Sequence, residues 1–222
     1  YASLNPRMRV QDIIGEAPLV HGMTDRAGLA DYVDAQMRQA GLDPAFKRRY
    51  PHQFSGGQRQ RIGIARALVL EPRVIVCDEP VSALDVSVQA QILNLIAELC
   101  RTRGLTLIFI THDLAVVRHV AQRIAVMYLG RIVEYADKKT IFTMPRHPYT
   151  EALLAAAPTP DPSRRERSRV VLSGDVPSPA NPPSGCRFHT RCPLADATCR
   201  SIDPSLVEVS PGHHVACLKR AL

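Results

Sequence analysis

Residues 74–79 read Val-Ile-Val-Cys-Asp-Glu, an apolar and largely β-branched run that ends in two adjacent acids. Such a run is typical of a parallel strand that is buried on both faces. A second run of this kind, Leu105–Ile110, follows a helical pattern over Gln89–Leu99, in which apolar residues recur every three or four positions. The order strand, helix, strand predicts an α/β fold with a parallel sheet and crossover connections.

Other patterns flank this core. Residues 10–49 have a helical pattern of apolar residues and indicate a small α-rich region. Residues 123–128 and 131–135 flank Leu129-Gly130 and predict a hairpin. Together with the core, these patterns indicate one main globular domain plus a smaller tail, as the length of 222 residues also suggests.

The C-terminal part has a different composition. A Leu/Ala-rich helix is expected after His147-Pro148, with the proline at a favourable first-turn position. Residues 158–183 are rich in proline and arginine and indicate an extended linker with one strand at Val170–Leu172. A cysteine-rich segment follows the linker.

Composition limits the class of protein only loosely. The net charge of +7 and a pI near 9.3 suit an anionic partner such as a nucleotide, a nucleic acid or an anionic membrane surface. No stretch approaches the roughly 18 continuous apolar residues of a spanning helix, and residues 1–9 lack a signal-peptide hydrophobic region. The sequence therefore reads as that of a cytosolic protein. It opens without Met inside what reads as a structured element, so we expect an N-terminal truncation.

Two acids follow the first predicted strand, at the sheet edge where open α/β sheets place their ligands. Asp78 is a candidate ligand of Mg²⁺, and Glu79 is placed to polarise a water that attacks a phosphate. The alternative is a polar strand end before a turn at Pro80.

A glycine pair opens the helix predicted after residue 54. Ser55-Gly56-Gly57 allows backbone amides to approach an anion, and the start of a helix adds partial positive charge. A phosphate is therefore a candidate ligand. The alternative is an ordinary serine cap followed by flexible glycines.

The order and spacing of four short motifs resemble the ABC ATPase family. They are Ser55-Gly56-Gly57-Gln58-Arg59-Gln60, Asp78-Glu79-Pro80, Ser82-Ala83-Leu84-Asp85 and His112. The resemblance implies an α/β fold of the ABC-type P-loop NTPase class, with a parallel sheet core and an α-helical subdomain. The fold would lack its N-terminal part and carry a small Cys-rich C-terminal extension.

The family resemblance also implies roles for these residues. Two such domains stack head to tail around ATP and Mg²⁺, so that Ser55, Gly56, Gly57 and Gln58 would serve the nucleotide of the partner. Glu79 would be the general base, His112 the sensor of the γ-phosphate, and Asp85 a residue at the dimer seam. A histidine suits such a sensor because it can donate a hydrogen bond to phosphate.

One departure from the family is large. The sequence contains no glycine-rich loop with Lys and Ser/Thr, and the family's Q-loop glutamine would precede Tyr1. We therefore expect these residues alone to show no ATPase activity, whereas a full-length parent should be active.

The resemblance extends to one branch of the family, the oligopeptide and dipeptide importer ATPases. It rests on Tyr1–Met8, Arg146–Thr150 and Cys186–Pro193, and it covers essentially the whole chain. Nickel and glutathione importers share the same extension. The implied partners are a second ABC ATPase subunit, membrane permease subunits and, indirectly, a periplasmic or lipid-anchored peptide-binding protein. The implied location is the cytoplasmic face of the plasma membrane, as a peripheral protein.

Four cysteines crowd the tail, with five, six and 17 residues between Cys186, Cys192, Cys199 and Cys217. This spacing is unlike a zinc ribbon. Four thiolates can hold a 4Fe-4S cluster, and the family's extension resembles such a site, so this cluster is favoured over zinc or reduced thiols. Three histidines are either substitute ligands or, more simply, surface residues: His189, His213 and His214. Cys77 and Cys100 lie on apolar faces and are expected in the core.

Two other classes of function stay open. One is an ABC ATPase of DNA repair or translation, although few aromatic residues are present to stack on bases, and we expect no nucleic-acid partner. The other is a non-catalytic remnant that dimerises or binds a metal. The segments expected from these patterns are a helical subdomain after the Q-loop at 1–54, the C-terminal part of the ATPase core at 55–144, the His-Pro-Tyr helix and linker at 145–185, and the Cys-rich extension at 186–222.

Overall fold

The chain forms two compact units, Tyr1–His112 and Asp113–Leu222. Their architecture comes from a computed structural model that describes residues 4–157 and 174–221. The strand expected at Val170–Leu172 and much of the linker therefore lie outside the described residues, as do Tyr1, Ala2 and Ser3.

The first unit begins with a helical layer. Its helices are α1 (Val10–Val20), α2 (Leu29–Gln39) and α3 (Gly56–Leu68), and two short 3-10 turns separate α2 from α3. The helices pack around a shared apolar core whose most buried members include Val10, Ile14, Val33, Met37, Ile62 and Ala65. The α-rich region predicted for residues 10–49 is confirmed.

The second layer of this unit is a parallel sheet. Strand β1 (Val74–Asp78) pairs in parallel with β2 (Thr106–Ile110), and helix α4 (Val86–Arg103) connects them. The register joins Val74 to Thr106 and Asp78 to Ile110. Gly104 follows the last residue of α4 as its C-cap, and its φ of 64° lies in the left-handed region that glycine adopts without strain. The predicted strand, helix, strand order and the parallel sheet are confirmed.

The predicted burial of these strands on both faces is wrong for the residues that the structure describes. Val74, Val76, Ile108 and Ile110 are each about half exposed. Exposed and half-buried side chains alternate along both strands, so only one face is covered. Among the described residues this sheet contains only β1 and β2.

The second unit contains an antiparallel sheet. Its strands are ordered β3, β4, β6, β5 in the described part of the chain, with bounds Arg123–Tyr128 (β3), Arg131–Asp137 (β4), Val207–Ser210 (β5) and His213–Val215 (β6). The hairpin between β3 and β4 is confirmed. Leu129 and Gly130 both have positive φ, 43° and 77°, as a two-residue turn between right-twisted strands requires. Strands β5 and β6 were not predicted from the sequence.

The second unit also contains four helices in its described residues. They are α5 (Leu114–Val120), α6 (Lys138–Thr143), α7 (Pro148–Ala156) and α8 (Ala197–Ser201). Pro148 occupies the first turn of α7, as predicted, and His147 caps the helix by accepting a hydrogen bond from the backbone N–H of Tyr149 at Nδ1. An apolar cluster of Val126, Tyr128, Val133 and Phe188 joins the β3–β4 hairpin to the cysteine-rich segment.

Candidate functional site

The carboxyl ends of β1 and β2 bring three of the predicted residues together. Asp78 ends β1, Glu79 follows it, and His112 lies two residues beyond the end of β2. The backbone N–H of Glu79 donates to the carbonyl of Ile110 at 3.0 Å, which joins the two strand ends. His112 Nδ1 then lies 2.9 Å from Glu79 Oε1. A carboxylate and an imidazole that are far apart in the sequence thus form a hydrogen-bonded pair.

This pair is open to solvent and therefore to a ligand. The side chain of Glu79 is 47% exposed and that of His112 is 73% exposed. Asp78 is also exposed. These polar groups stand at the sheet edge where parallel α/β sheets bind ligands.

Glu79 has a strained backbone. Its φ of 44° lies in the left-handed region, which residues other than glycine seldom occupy. The hydroxyl of Ser82 donates to the carbonyl of Glu79 at 3.1 Å, and the bond from Glu79 N–H to Ile110 holds the other side of the residue. Strain of this kind persists only where the surroundings enforce it, and it is concentrated at functional sites.

The chemistry of these side chains suits a magnesium nucleotide. Mg²⁺ is usually held by one or two carboxylates together with phosphate oxygens and waters, so the carboxylate of Asp78 is a suitable ligand. Glu79 is a proton acceptor one residue away, and His112 is a donor within reach of it.

The start of α3 is organised by a reciprocal pair of hydrogen bonds. Ser55 Oγ accepts from the backbone N–H of Gln58 at 3.3 Å, and the side chain of Gln58 accepts from the backbone N–H of Ser55 at 3.0 Å. This is a capping box. Ser55 is thus a helix cap, as the alternative interpretation of the sequence predicted. Ser55 is also exposed, and its hydroxyl hydrogen stays available to donate to an anion at the positive end of the helix.

Asp85 caps α4 in a similar way. Its carboxylate accepts from the backbone N–H of Val88 at 2.9 Å and from the hydroxyl of Ser87 at 2.7 Å. These two donors lower the pKa of Asp85 below its ordinary value, so the residue is ionised at neutral pH. The charged group stands at the start of α4. This end of α4 lies close to the glycine pair of α3, since a Cβ on Gly57 would meet the side chain of Val88.

The structure does not support the 4Fe-4S prediction. In the residues that it describes, no three His, Cys, Asp or Glu side chains are arranged to hold a metal ion. Burial raises the pKa of Cys186, and the nearby thiols of Cys199 and Cys217 raise it further. Burial and the same neighbours also raise the pKa of Cys192. These effects show that the tail cysteines lie near one another, but in the described residues they do not form a metal-binding group.

The expectation that Cys77 and Cys100 lie in the core is met only in part, because neither residue is fully buried. Cys77 and Cys100 are half-buried, and burial together with Cys100 raises the pKa of Cys77 to about 11. Such thiols are unreactive at neutral pH.

Sequence reasoning missed a buried polar centre in the second unit. Glu134 is fully buried, and its carboxylate accepts from the backbone N–H of Arg146 at 2.7 Å and from that of His147 at 3.0 Å. His213 Nε2 lies 2.7 Å from the same carboxylate. The expectation that His213 is a surface residue is wrong, because it is 4% exposed and paired with Glu134. The only sequence signal was a charged residue in a strand whose neighbours are apolar.

Two protein-family models match parts of this chain. A family model described as "ABC transporter" matches residues 1–82, and one described as "Oligopeptide/dipeptide transporter, C-terminal region" matches residues 133–199. The chain is similar to YkfD of Bacillus subtilis, with 54% identity over 98% of this chain and 67% of that protein. It is also similar to the "Oligopeptide transport ATP-binding protein OppF" of Salmonella typhimurium, with 55% identity over 98% of this chain and 66% of that protein.

A solved structure shares the fold. It is described as the "Dimeric structure of a post-hydrolysis state of the ATP-binding cassette MJ0796 bound to ADP and Pi". The TM-score is 0.53 at 30% identity, over 62% of this chain and 60% of the other. The chain thus belongs to the ABC-type ATPases and, within them, to the ATP-binding proteins of oligopeptide transporters. It spans about two thirds of the length of these curated relatives.

Proposed function

We propose that this chain is part of the ATP-binding and hydrolysing subunit of an importer for oligopeptides or dipeptides. The observation that carries the proposal is the Glu79–His112 pair at the ends of two parallel strands, in a chain that belongs to the oligopeptide branch of the family. The energy for transport comes from closure of a dimer of ATPase subunits around ATP and from hydrolysis of that ATP.

In this proposal the two strand ends carry out the hydrolysis. Asp78 holds Mg²⁺ on the nucleotide, and Glu79 accepts a proton from the attacking water. His112 donates a hydrogen bond to the γ-phosphate and so detects its presence. The contact between His112 and Glu79 holds the imidazole beside the base.

The starts of α3 and α4 serve the dimer. Ser55, Gly56, Gly57 and Gln58 present a hydroxyl and helix N–H groups to the nucleotide held by a second subunit, and Asp85 lies at the seam. The related solved structure is described as dimeric and bound to ADP and Pi, which supports this arrangement. A glycine-rich phosphate loop is absent from these 222 residues, so in this proposal that loop lies outside them.

The partners follow from the class of transporter. We assign a second ATPase subunit and membrane permease subunits as direct partners, and a peptide-binding protein as an indirect one. The protein would then lie at the cytoplasmic face of the plasma membrane. None of the helices in the described residues has the length and hydropathy of a membrane span.

Transport by the reconstituted complex tests the proposal. The complete gene product that carries this sequence is assembled with its permease subunits in proteoliposomes, and the peptide-binding protein is added outside. Uptake of labelled di- and oligopeptides should require ATP inside the vesicles. Uptake of nickel or glutathione in preference to every peptide would show that the substrate is not a peptide. ATP turnover without any coupled uptake would contradict the transport function.

A further inference from the structure

Helices α3 and α4 touch at their starts through a site that has room only for glycine. Gly57 is buried in the first turn of α3, and a Cβ on it would overlap Val88 Cγ1 in the first turn of α4. A Cβ on Gly56 would come within 3.3 Å of Leu84 Cδ2. Gly57 has a helical backbone that any residue adopts, so space and not conformation requires glycine here.

The same two helices are also joined at their ends. Arg103, the last residue of α4, donates to the carbonyl of Leu68, the last residue of α3, at 3.4 Å. The guanidinium of Arg103 also donates to Gln39 Oε1 at the end of α2. The hydroxyl of Tyr32 in α2 donates to the carbonyl of Val69 at 2.8 Å. Side chains from α2 and α4 thus hold the carbonyl end of α3.

These contacts connect two surfaces with separate roles. Ser55, the residue proposed for the partner's nucleotide, caps the start of α3, and Asp85, proposed for the dimer seam, caps the start of α4. Packing at one end of a helix pair alone would allow the helices to pivot. Contacts at both ends remove that freedom, because close-packed side chains resist displacement.

We infer that Val88 and Arg103 are positioning residues for ATP hydrolysis. They hold the start of α3 at a set distance from Asp85, so that the surface facing the second subunit's nucleotide and the dimer seam move as one body. This inference rests on the proposed function, and it assigns to Gly57 a packing role against Val88 in addition to any approach to phosphate.

A double-mutant cycle tests the contact at the helix starts. Gly57→Ala places a methyl group against Val88 and should lower kcat for ATP by about tenfold or more, since small displacements of reacting groups have large effects on rate. Val88→Ala removes the methyl groups that the new Cβ overlaps. The Gly57→Ala/Val88→Ala protein should therefore recover most of the lost kcat. Gly63→Ala is the matched control, because a Cβ on that glycine of α3 meets no atom within 4 Å.

The outcomes separate the inference from the proposed function. A complete wild-type protein without ATPase activity would contradict the function. An active wild type whose Gly57→Ala activity is not restored by Val88→Ala would overturn the inference, because glycine would then serve only the approach to phosphate. The free energy of unfolding of each variant distinguishes loss of activity from loss of fold.

The contact at the helix ends supplies an independent arm if Gly57→Ala does not fold. Arg103→Met should lower kcat several-fold, about fivefold or more, with KM for ATP changed by less than about threefold. Arg103→Lys, which retains a donor, should restore part of the loss. Arg101→Met is the control, because Arg101 is exposed on the same helix and pairs with Glu98 at the surface. Equal kcat values for Arg103→Met and Arg101→Met would overturn the inference.

Discussion

Glu79 Oε1 lies 2.9 Å from His112 Nδ1, although the two residues are 33 positions apart in the sequence. The contact exists because β1 and β2 are parallel neighbours in register, so their carboxyl ends meet at one edge. Glu79 stands at that edge with a left-handed backbone conformation. The proposed base and the proposed sensor are therefore adjacent.

Replacement of the base should separate ATP binding from hydrolysis. Glu79→Gln keeps the size of the side chain but removes the proton acceptor, so turnover should fall by about 100-fold to 10,000-fold. Nucleotide binding should be kept. Steady-state phosphate release and equilibrium nucleotide binding by the complete gene product provide the measurement. The control is Glu98→Gln on the surface of α4, and a Glu79→Gln protein that turns over at the wild-type rate would refute the assignment of the base.

Loss of the sensor should act on the rate with little effect on folding. His112→Ala removes an exposed imidazole, so the free energy of unfolding should change little. The loss of one donor to a charge that develops in the transition state should lower kcat by about 100-fold. The matched variant is His21→Ala, since His21 is an exposed histidine after α1. Equal activities of the two variants would show that His112 does not contact the phosphate.

Charge at Ser55 should separate its capping role from its role toward a nucleotide. Ser55→Asp retains an acceptor for the N–H of Gln58, and aspartate is as good a helix cap as serine, so α3 should stay intact. A carboxylate facing phosphate is repelled, and hydrolysis by the dimer should fall by at least about tenfold. Ser55→Asn caps the helix without the charge, and its rate of hydrolysis is the reference for the aspartate variant. If the aspartate variant hydrolyses ATP as well as the asparagine variant, Ser55 does not face the phosphates.

The buried His147 should make stability depend on pH in the acid range. Burial lowers the pKa of His147 from 6.5 to about 4, although the nearby Glu134 acts in the opposite direction. Between these values the unfolded chain binds a proton that the folded chain does not. This contribution to stability is therefore fully present above about pH 6.5 and is lost as the pH falls towards 4. It amounts to at most about 3 kcal/mol.

Substitution of His147 checks this dependence. In His147→Asn the amide oxygen still caps α7, but no group titrates there, so the free energy of unfolding should fall less steeply below pH 6.5. Urea denaturation between pH 4.5 and pH 7, followed by circular dichroism, measures the slope. His119→Asn, at an exposed histidine of α5, should leave the slope unchanged. Identical slopes for His147→Asn and wild type would disprove a buried neutral imidazole.

Local patterns were enough to predict the central elements. The apolar runs at 74–77 and 105–110 predicted two strands, and the glycine pair after Ser55 predicted the start of a helix. The turn at Leu129-Gly130 also followed from its residues. Each of these features depends on neighbours in the sequence, through backbone propensities and the period of apolar side chains.

Features that depend on distant contacts were not predictable in this way. The pairing of Glu134 with His213 joins residues 79 positions apart, and no local pattern distinguishes His213 from an exposed histidine. The metal site was predicted from the number of cysteines in the tail and from the family resemblance. Their burial, which raises the pKa of Cys186 and Cys192, depends on how the segment packs.

By itself, the sequence determined the family of this protein and the residue types that its chemistry needs, because short motifs such as Asp78-Glu79 carry both. Only the tertiary structure decided which of those residues meet. Parallel pairing of β1 with β2 brought Glu79 to His112, and close packing of α3 on α4 explained why position 57 is glycine. The physical reason is that backbone conformation is set mainly by nearby residues, whereas distances between side chains are set by how whole elements pack.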